Sequence, residues 1–217
     1  MSEFSFANYG ELKEAMADWL MRQDLNARIP QFLRMAEAEL DTVLRVREMI
    51  GRARTVAECQ YIALPDDWVK ARNVQRVSDG EPLGLMAYDE IDRYRADIKA
   101  GRTYVDGRGP RFYALVGEAM ELAPAPPEES PAEIELIYYR RVPRPSSDTQ
   151  RTWLLDRYPS VYLYGGLVHS APFLKDDERL AVWQALYQNA VASANQSDAD
   201  ARYSGAPMVR RSSGFGV

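Results

Sequence analysis

Trp153 to Arg179 reads WLLDRYPSVYLYGGLVHSAPFLKDDER, and its spacing decides the fold class. Trp153, Leu154, Tyr158, Val161, Tyr162, Gly165 and Val168 recur at three- and four-residue steps, so they share one helix face. Pro159 stands where a first helical turn tolerates proline, since an N–H there has no intrahelical partner to lose. A glycine costs a helix about 1 kcal/mol relative to alanine, so the mid-helix pair Gly165-Gly166 is expected where another element comes close. Pro172 ends or kinks this helix. Lys175-Asp176-Asp177-Glu178 then opens the next one, with an aspartate as cap and carboxylates over its positive end.

Working outward, three more helices carry matching apolar stripes. Tyr9 to Arg22 presents Leu12, Ala15, Met16, Trp19 and Leu20, with Asn8 and Glu11 spaced as a capping box. A second helix has Pro30 in its first turn and aligns Phe32, Leu33, Ala36, Leu40, Val43 and Leu44. The last, from about Asp177 to Ala199, aligns Leu180, Trp183, Leu186, Tyr187, Ala190, Val191 and Ala194. Together they predict a four-helix core.

Between Met49 and Arg141 the period changes to two. Short β-friendly runs, Arg72 to Val77, Arg111 to Val116, Ala119 to Ala123 and Glu133 to Arg140, are separated by the turn signals Asp79-Gly80, Asp106-Gly107 and Gly117-Glu118. Asp89 to Ala100 supplies one short helix there. Pro124 to Pro131 is too proline-rich for a sheet interior and reads as an exposed loop. The fold class expected is α+β: a helical bundle over 1–48 and 148–201, a small antiparallel β-rich insert over 49–147, and an extended C-terminal arm over 202–217. The arm carries Arg202, Tyr203, Met208, Val209, Arg210, Arg211 and Phe215, and it reads either as a frayed terminus or as a segment whose apolar anchors beside arginines dock on another protein.

Composition sets independent bounds. With 217 residues, 46% hydrophobic and 27% charged, the chain is expected to be globular. No run of about 18 apolar residues occurs, and the start, MSEFSFANYG, has neither a basic nor an apolar leader region, so neither a membrane span nor a secretory signal is expected. The single Cys59 has no partner within the chain for a disulfide, which fits a reducing compartment such as a host cytoplasm.

The net charge of −5 is unevenly spread. Arg93 to Arg111 holds six basic residues against two aspartates, and Gly117 to Glu135 holds six glutamates and no base. Such segments are either solvated faces or, in a head-to-tail oligomer, complementary patches of adjacent subunits, with Arg102 and Arg108 of one meeting Glu128 and Glu129 of the next.

Catalytic patterns are sparse. His169 is the only histidine, and Ser170 beside it on a helix diverges from it. Cys59 lacks a local nucleophile signature, and one Cys with one His cannot make a zinc site. Asp66-Asp67 reads as turn chemistry and Asp176-Asp177-Glu178 as capping. Gly107-Arg108-Gly109 lacks the context of a dinucleotide loop. No catalytic residue, metal or cofactor is expected. Arg45, Arg47, Arg52 and Arg54 cluster after the second helix, but Glu48 and Glu58 interrupt them and the pI is near 5.1, which argues against site-specific DNA binding.

The helical ends resemble a known family. Trp153-Leu154-Leu155, Pro159-Ser160-Val161-Tyr162-Leu163-Tyr164-Gly165 and Pro172-Phe173-Leu174-Lys175-Asp176-Asp177-Glu178-Arg179 are similar to the C-terminal half of the phage head-to-tail adaptor (connector, head completion) proteins. Ser160 stands where an acidic residue is commoner. Asn8 to Arg22, Ile29 to Leu44 and Tyr138-Tyr139-Arg140-Arg141-Val142-Pro143 resemble the family's first two helices and the exit from its β region. The resemblance implies a structural virion protein assembled in the host cytoplasm. It would form a homo-oligomeric ring of twelve that docks on the portal protein, continues the DNA channel near the packaged DNA, and offers a surface to a tail or nozzle protein. It also implies that the arm reaches the portal, and that Trp153, Tyr158, Tyr162, Tyr164, Gly165 and Gly166 pack the bundle or a neighbouring subunit. Two readings of other classes are a tail-associated cell-wall hydrolase using paired carboxylates, for which no spaced acid pair stands out, and a DNA-binding module.

Overall fold

The computed structural model describes residues 5–105, 107–174 and 177–203. The chain divides into two compact units, one built from its two ends, through Glu48 and from Val142, and one from Met49–Arg141. The fold is α+β, with six α-helices among the described residues: five in the helical unit where four were expected, and the one expected in the insert.

The helical unit holds α1 (Tyr9–Leu20), α2 (Ile29–Val43), α4 (Trp153–Arg157), α5 (Pro159–Leu174) and α6 (Asp177–Tyr203); α3 (Tyr88–Lys99) belongs to the other unit. At the start of α1 the Asn8 side chain accepts from the Glu11 N–H at 3.0 Å, while the Glu11 carboxylate accepts from the Ala7 N–H at 2.7 Å. One orphan donor of the first turn is thereby satisfied, and the N–H of the residue before the cap is held as well. Met21, left-handed at φ 53°, closes the helix with N–H bonds back to its last turn.

The stretch expected as one helix from Trp153 is two. Pro159 has no N–H and disfavours α backbone in the residue before it, and Tyr158 accordingly takes φ −133°, ψ 49°. The chain turns there, and Pro159 becomes the first residue of α5. Pro172 neither ends nor interrupts α5 at once, which runs to Leu174. The core of this unit comprises Leu12, Met16, Ile29, Leu33, Leu40, Leu155, Val161, Tyr162, Leu163 and Leu167, with Trp183, Tyr187 and Val191 from α6.

The second unit contains two sheets. One is antiparallel, with β7 (Ala132–Arg140) between β1 (Ile50–Ala57) and β3 (Trp68–Arg76). The other orders β2 (Tyr61–Ala63), β6 (Ala119–Ala123), β5 (Phe112–Val116) and β4 (Gly84–Leu85), with β4 parallel to β5. The insert is thus mixed rather than purely antiparallel. The β5–β6 hairpin turns at Gly117, whose φ of +60° suits glycine. Ile62, Val74, Tyr113, Met120, Leu122, Ile134 and Leu136 form the core. The helix α3 (Tyr88–Lys99) places Ile91 against Ala114 and Ala123.

Candidate interaction surfaces

The residues singled out in the α4–α5 hairpin divide by burial. Gly165 and Gly166 are buried in mid-helix. A Cβ on Gly165 would lie 3.1 Å from the Ala36 Cβ and 3.2 Å from the Tyr187 ring, and one on Gly166 would lie 2.9 Å from Leu33 Cδ2 and Met16 Sδ. The pair is where α5 meets α1, α2 and α6. Tyr162 is fully buried within the same unit. Trp153, Tyr158 and Tyr164 are half-buried at its surface, with Trp153 edge-on to Tyr158 and Tyr164 edge-on to Trp19.

The Tyr162 hydroxyl donates to Oε1 of Glu37, a carboxylate only 1% exposed on α2. Oε2 of Glu37 is buried with no hydrogen-bond partner. Burial pushes the Glu37 pKa up, against opposing pulls from the Tyr162 hydrogen bond and from Arg144 and Arg34. The Tyr9 phenol, whose ring centre is 6.5 Å from that of Tyr162, is pushed up to about 12 by burial and then by Glu37. Sequence reasoning missed Glu37, although its signal was present: a charge in the apolar row Leu33, Ala36, Leu40.

A second polar device joins residues far apart in sequence. Asn195 on α6 accepts from the Arg45 N–H at 2.7 Å and donates to the Val43 carbonyl at 3.1 Å. One turn on, buried Asp198 accepts from the Arg47 N–H at 3.0 Å. Glu48 meets Arg157 Nη1 at 2.6 Å. Nearby, buried Asp41 accepts from the Val142 N–H at 2.7 Å and from Arg144 at 3.1 Å. Arg45 and Arg47, read from sequence as part of a basic cluster, are held here by α6.

In the β unit, part of the uneven charge is consumed within the chain. Arg95 pairs with Glu121, so the basic and acidic segments already meet once, and buried Glu121 also accepts from Gln60 at 2.7 Å. Arg102 pairs with Asp97 at 2.6 Å. Arg108, Glu128 and Glu129 are exposed, the two glutamates in the turn before β7. On β7, Glu135 is held by Arg54 at 2.9 Å and Gln75 at 2.8 Å, which together with Arg52 keep its carboxyl below the usual range. Of the arm, Arg202 and Tyr203 close the backbone of α6, which runs further than expected; Met208, Val209, Arg210, Arg211 and Phe215 lie outside the described residues.

Among the described residues no group of three or more His, Cys, Asp or Glu side chains could hold a metal ion, and no helix is long and apolar enough to cross a membrane. The family model described as "SU10 adaptor protein" matches residues 7–211. No curated protein matches the chain.

Proposed function

This chain belongs to the SU10 adaptor family, phage adaptor proteins that are structural parts of the virion, and from that premise we propose that it is the subunit of the head-to-tail ring. Twelve copies close around the DNA path, dock below the portal protein, extend its channel and give the tail or nozzle protein its attachment surface. The observation that carries this reading is the family match, which spans both helical ends and the insert between them.

The chemistry of the chain supports it. A subunit that holds its shape while others bind it needs a rigid core. The interlocked glycine pair, the buried polar ties of Glu37, Asp41 and Asp198, and the tie of half-buried Asn195 supply one. The net charge of −5 suits a channel that lets DNA pass without gripping it, because tight non-specific binding requires many phosphate contacts from Lys and Arg. The chain beyond α6 clasps the portal. Exposed Arg102 and Arg108 face Glu128 and Glu129 of the adjacent subunit, and half-buried Trp153, Tyr158 and Tyr164 pack at a protein contact.

Mass measurement of the purified protein alone and mixed with its portal tests the reading. A discrete complex holding a fixed number of copies on the portal is expected. Folded protein that stays apart from the portal at every ratio would overturn it.

A further inference from the structure

The two long outer strands of the three-stranded sheet end very differently. On β3 the outer edge is blunted. Two register shifts interrupt its ladder, between Trp68 and Lys70 and between Ala71 and Asn73, and Lys70 is exposed. Its second half is covered by the following turn, where Leu83 N–H donates to the Val74 carbonyl at 2.8 Å and Arg76 N–H to Glu81 at 3.0 Å. Bulges, an edge lysine and a covering loop are the devices by which edge strands avoid adding another strand.

β1 has neither a bulge nor a covering loop; its edge charges are Arg52 and Arg54, both on the solvent face and both drawn toward Glu135 of β7. All eight of its residues, Ile50 to Ala57, pair with β7 in one unbroken register. In an antiparallel strand every second residue turns its N–H and C=O to the side away from its partner. Among the described residues, no backbone group of residues 50–57 makes a hydrogen bond outside the β7 ladder. The other outer strands, β2 and β4, are only three and two residues long.

The side chains of β1 state what it would accept. Its solvent face presents Arg52, Arg54 and Val56, all exposed. Its other face carries Gly51, Ala53, Thr55 and Ala57, with Ala53 packed against the apolar core. A strand laid beside it would put one alternating set of side chains next to the two arginines and the other next to that core. On its occupied side, β1 has selected that pattern: β7 places Glu135 opposite Arg54 and Ile134 and Leu136 on the core face.

We infer that the free edge of β1 is a docking site for an extended segment of a partner protein, with acidic residues alternating with large apolar ones. The segment joins the sheet as a fourth strand beside β1. Its backbone satisfies the open N–H and C=O groups, and its acids sit across from Arg52 and Arg54. The inference does not rest on portal docking or on ring formation.

The probe is a peptide with the sequence of residues 131–140, the one strand that β1 already accepts. Hydrogen exchange of the full chain is followed with and without it. Amides on the open side of residues 50–57 should exchange quickly in the free protein and about tenfold more slowly with peptide bound. Two further peptides carry N-methyl groups at the positions of Glu133 and Glu135, or at those of Ile134 and Leu136. Main-chain pairing requires that one pattern abolish protection and the other preserve it. Val56→Lys, which places an edge charge on an exposed position, should weaken binding in a chain with unchanged circular dichroism. Equal protection by both methylated peptides would overturn the inference, as would open-side amides already slow without peptide. Protection that grows with protein concentration alone, together with a larger sedimentation coefficient, would assign the edge to a second copy and exclude the acidic partner segment.

Discussion

Replacing Gly165 by alanine tests the packing of α5 against a near-identical control next door. In an exposed helix the change would stabilise by about 1 kcal/mol. Here the new methyl would lie 3.1 Å from the Ala36 Cβ and 3.2 Å from the Tyr187 ring, whereas carbon atoms pack best at about 3.5–4.0 Å. The Ala36 Cβ is fixed to the α2 backbone, so relief requires the helices themselves to part by about 0.4 Å. Overpacking of this kind costs about 1–3 kcal/mol, which outweighs the propensity gain and leaves a net loss of about 1 kcal/mol. At Gly166 the contacts are nominally shorter, 2.9 Å, but they are to Leu33 Cδ2 and Met16 Sδ, the ends of side chains that can swing aside. Gly166→Ala should therefore stay within about 0.5 kcal/mol of the wild type, because methionine adapts to small volume changes. Leucine at either site should cost about 3 kcal/mol. Thermal melts followed by far-UV circular dichroism read these differences, at about 2–4 °C per kcal/mol for a chain of this length. A Gly165→Ala protein that melts higher than wild type would refute the reasoning and make position 165 slack rather than tight.

Glu37 is pushed toward its neutral form on folding, so the folded state binds the proton more tightly than the unfolded one; stability should fall as pH rises from the ordinary glutamate range through the raised value. Glu37→Gln should flatten that dependence in denaturant titrations at several pH values, and an unchanged slope would clear Glu37 of the effect. Deleting residues 204–217 should leave the helical circular dichroism intact while weakening portal binding measured by co-sedimentation, and equal affinity of the two forms would remove the arm from the contact. Reversing Arg102 and Arg108 to glutamate should reduce ring assembly, with partial rescue by Glu128→Lys and Glu129→Lys, and assembly should weaken with salt because exposed charges are screened within about 10 Å at 0.1 M; light scattering at two salt concentrations reads both, and indifference to either change would leave these residues as solvated charge. Asp198→Ala should cost about 1–3 kcal/mol by leaving the Arg47 N–H without its acceptor, seen as faster exchange of that amide.

The helices were legible because their apolar residues recur at helical steps over many turns. The division at Tyr158 was harder to see, since the stripe continues across it and only the backbone of the residue before Pro159 gives way. Among the strands, β5, β6 and β7 stood out through β-branched, aromatic and large apolar residues. The strand β1 did not: its inner row is Gly51, Ala53, Thr55 and Ala57, too small to register as an apolar period, and its outer arginines read as a basic cluster. The parallel pairing of β4 left no trace, because two residues carry no period at all. Asn195 and Asp198 lay hidden for a different reason, as did the partner of Glu37, whose own place in an apolar row was visible. Their partners are more than a hundred residues away or are main-chain groups, and neither appears as a spacing in the sequence.

The ties from Asn195 and Asp198 to residues 43–47 span 150 to 152 positions along the chain. During synthesis the stretch from Met49 to Arg141 leaves the ribosome as one continuous piece, with every strand of both sheets in hand. At that moment α1 and α2 have neither α5 to cover them nor α6 to hold the segment after them. Formation of local contacts precedes closure of long loops, because the entropy of closure must be met before distant contacts repay it. The insert is therefore the first part able to fold to completion, and α1 and α2 wait with their apolar faces open until the final helix emerges. A chain truncated within α6 is expected to keep a folded insert and lose the bundle, so the 27 residues of that helix decide whether the helical unit closes.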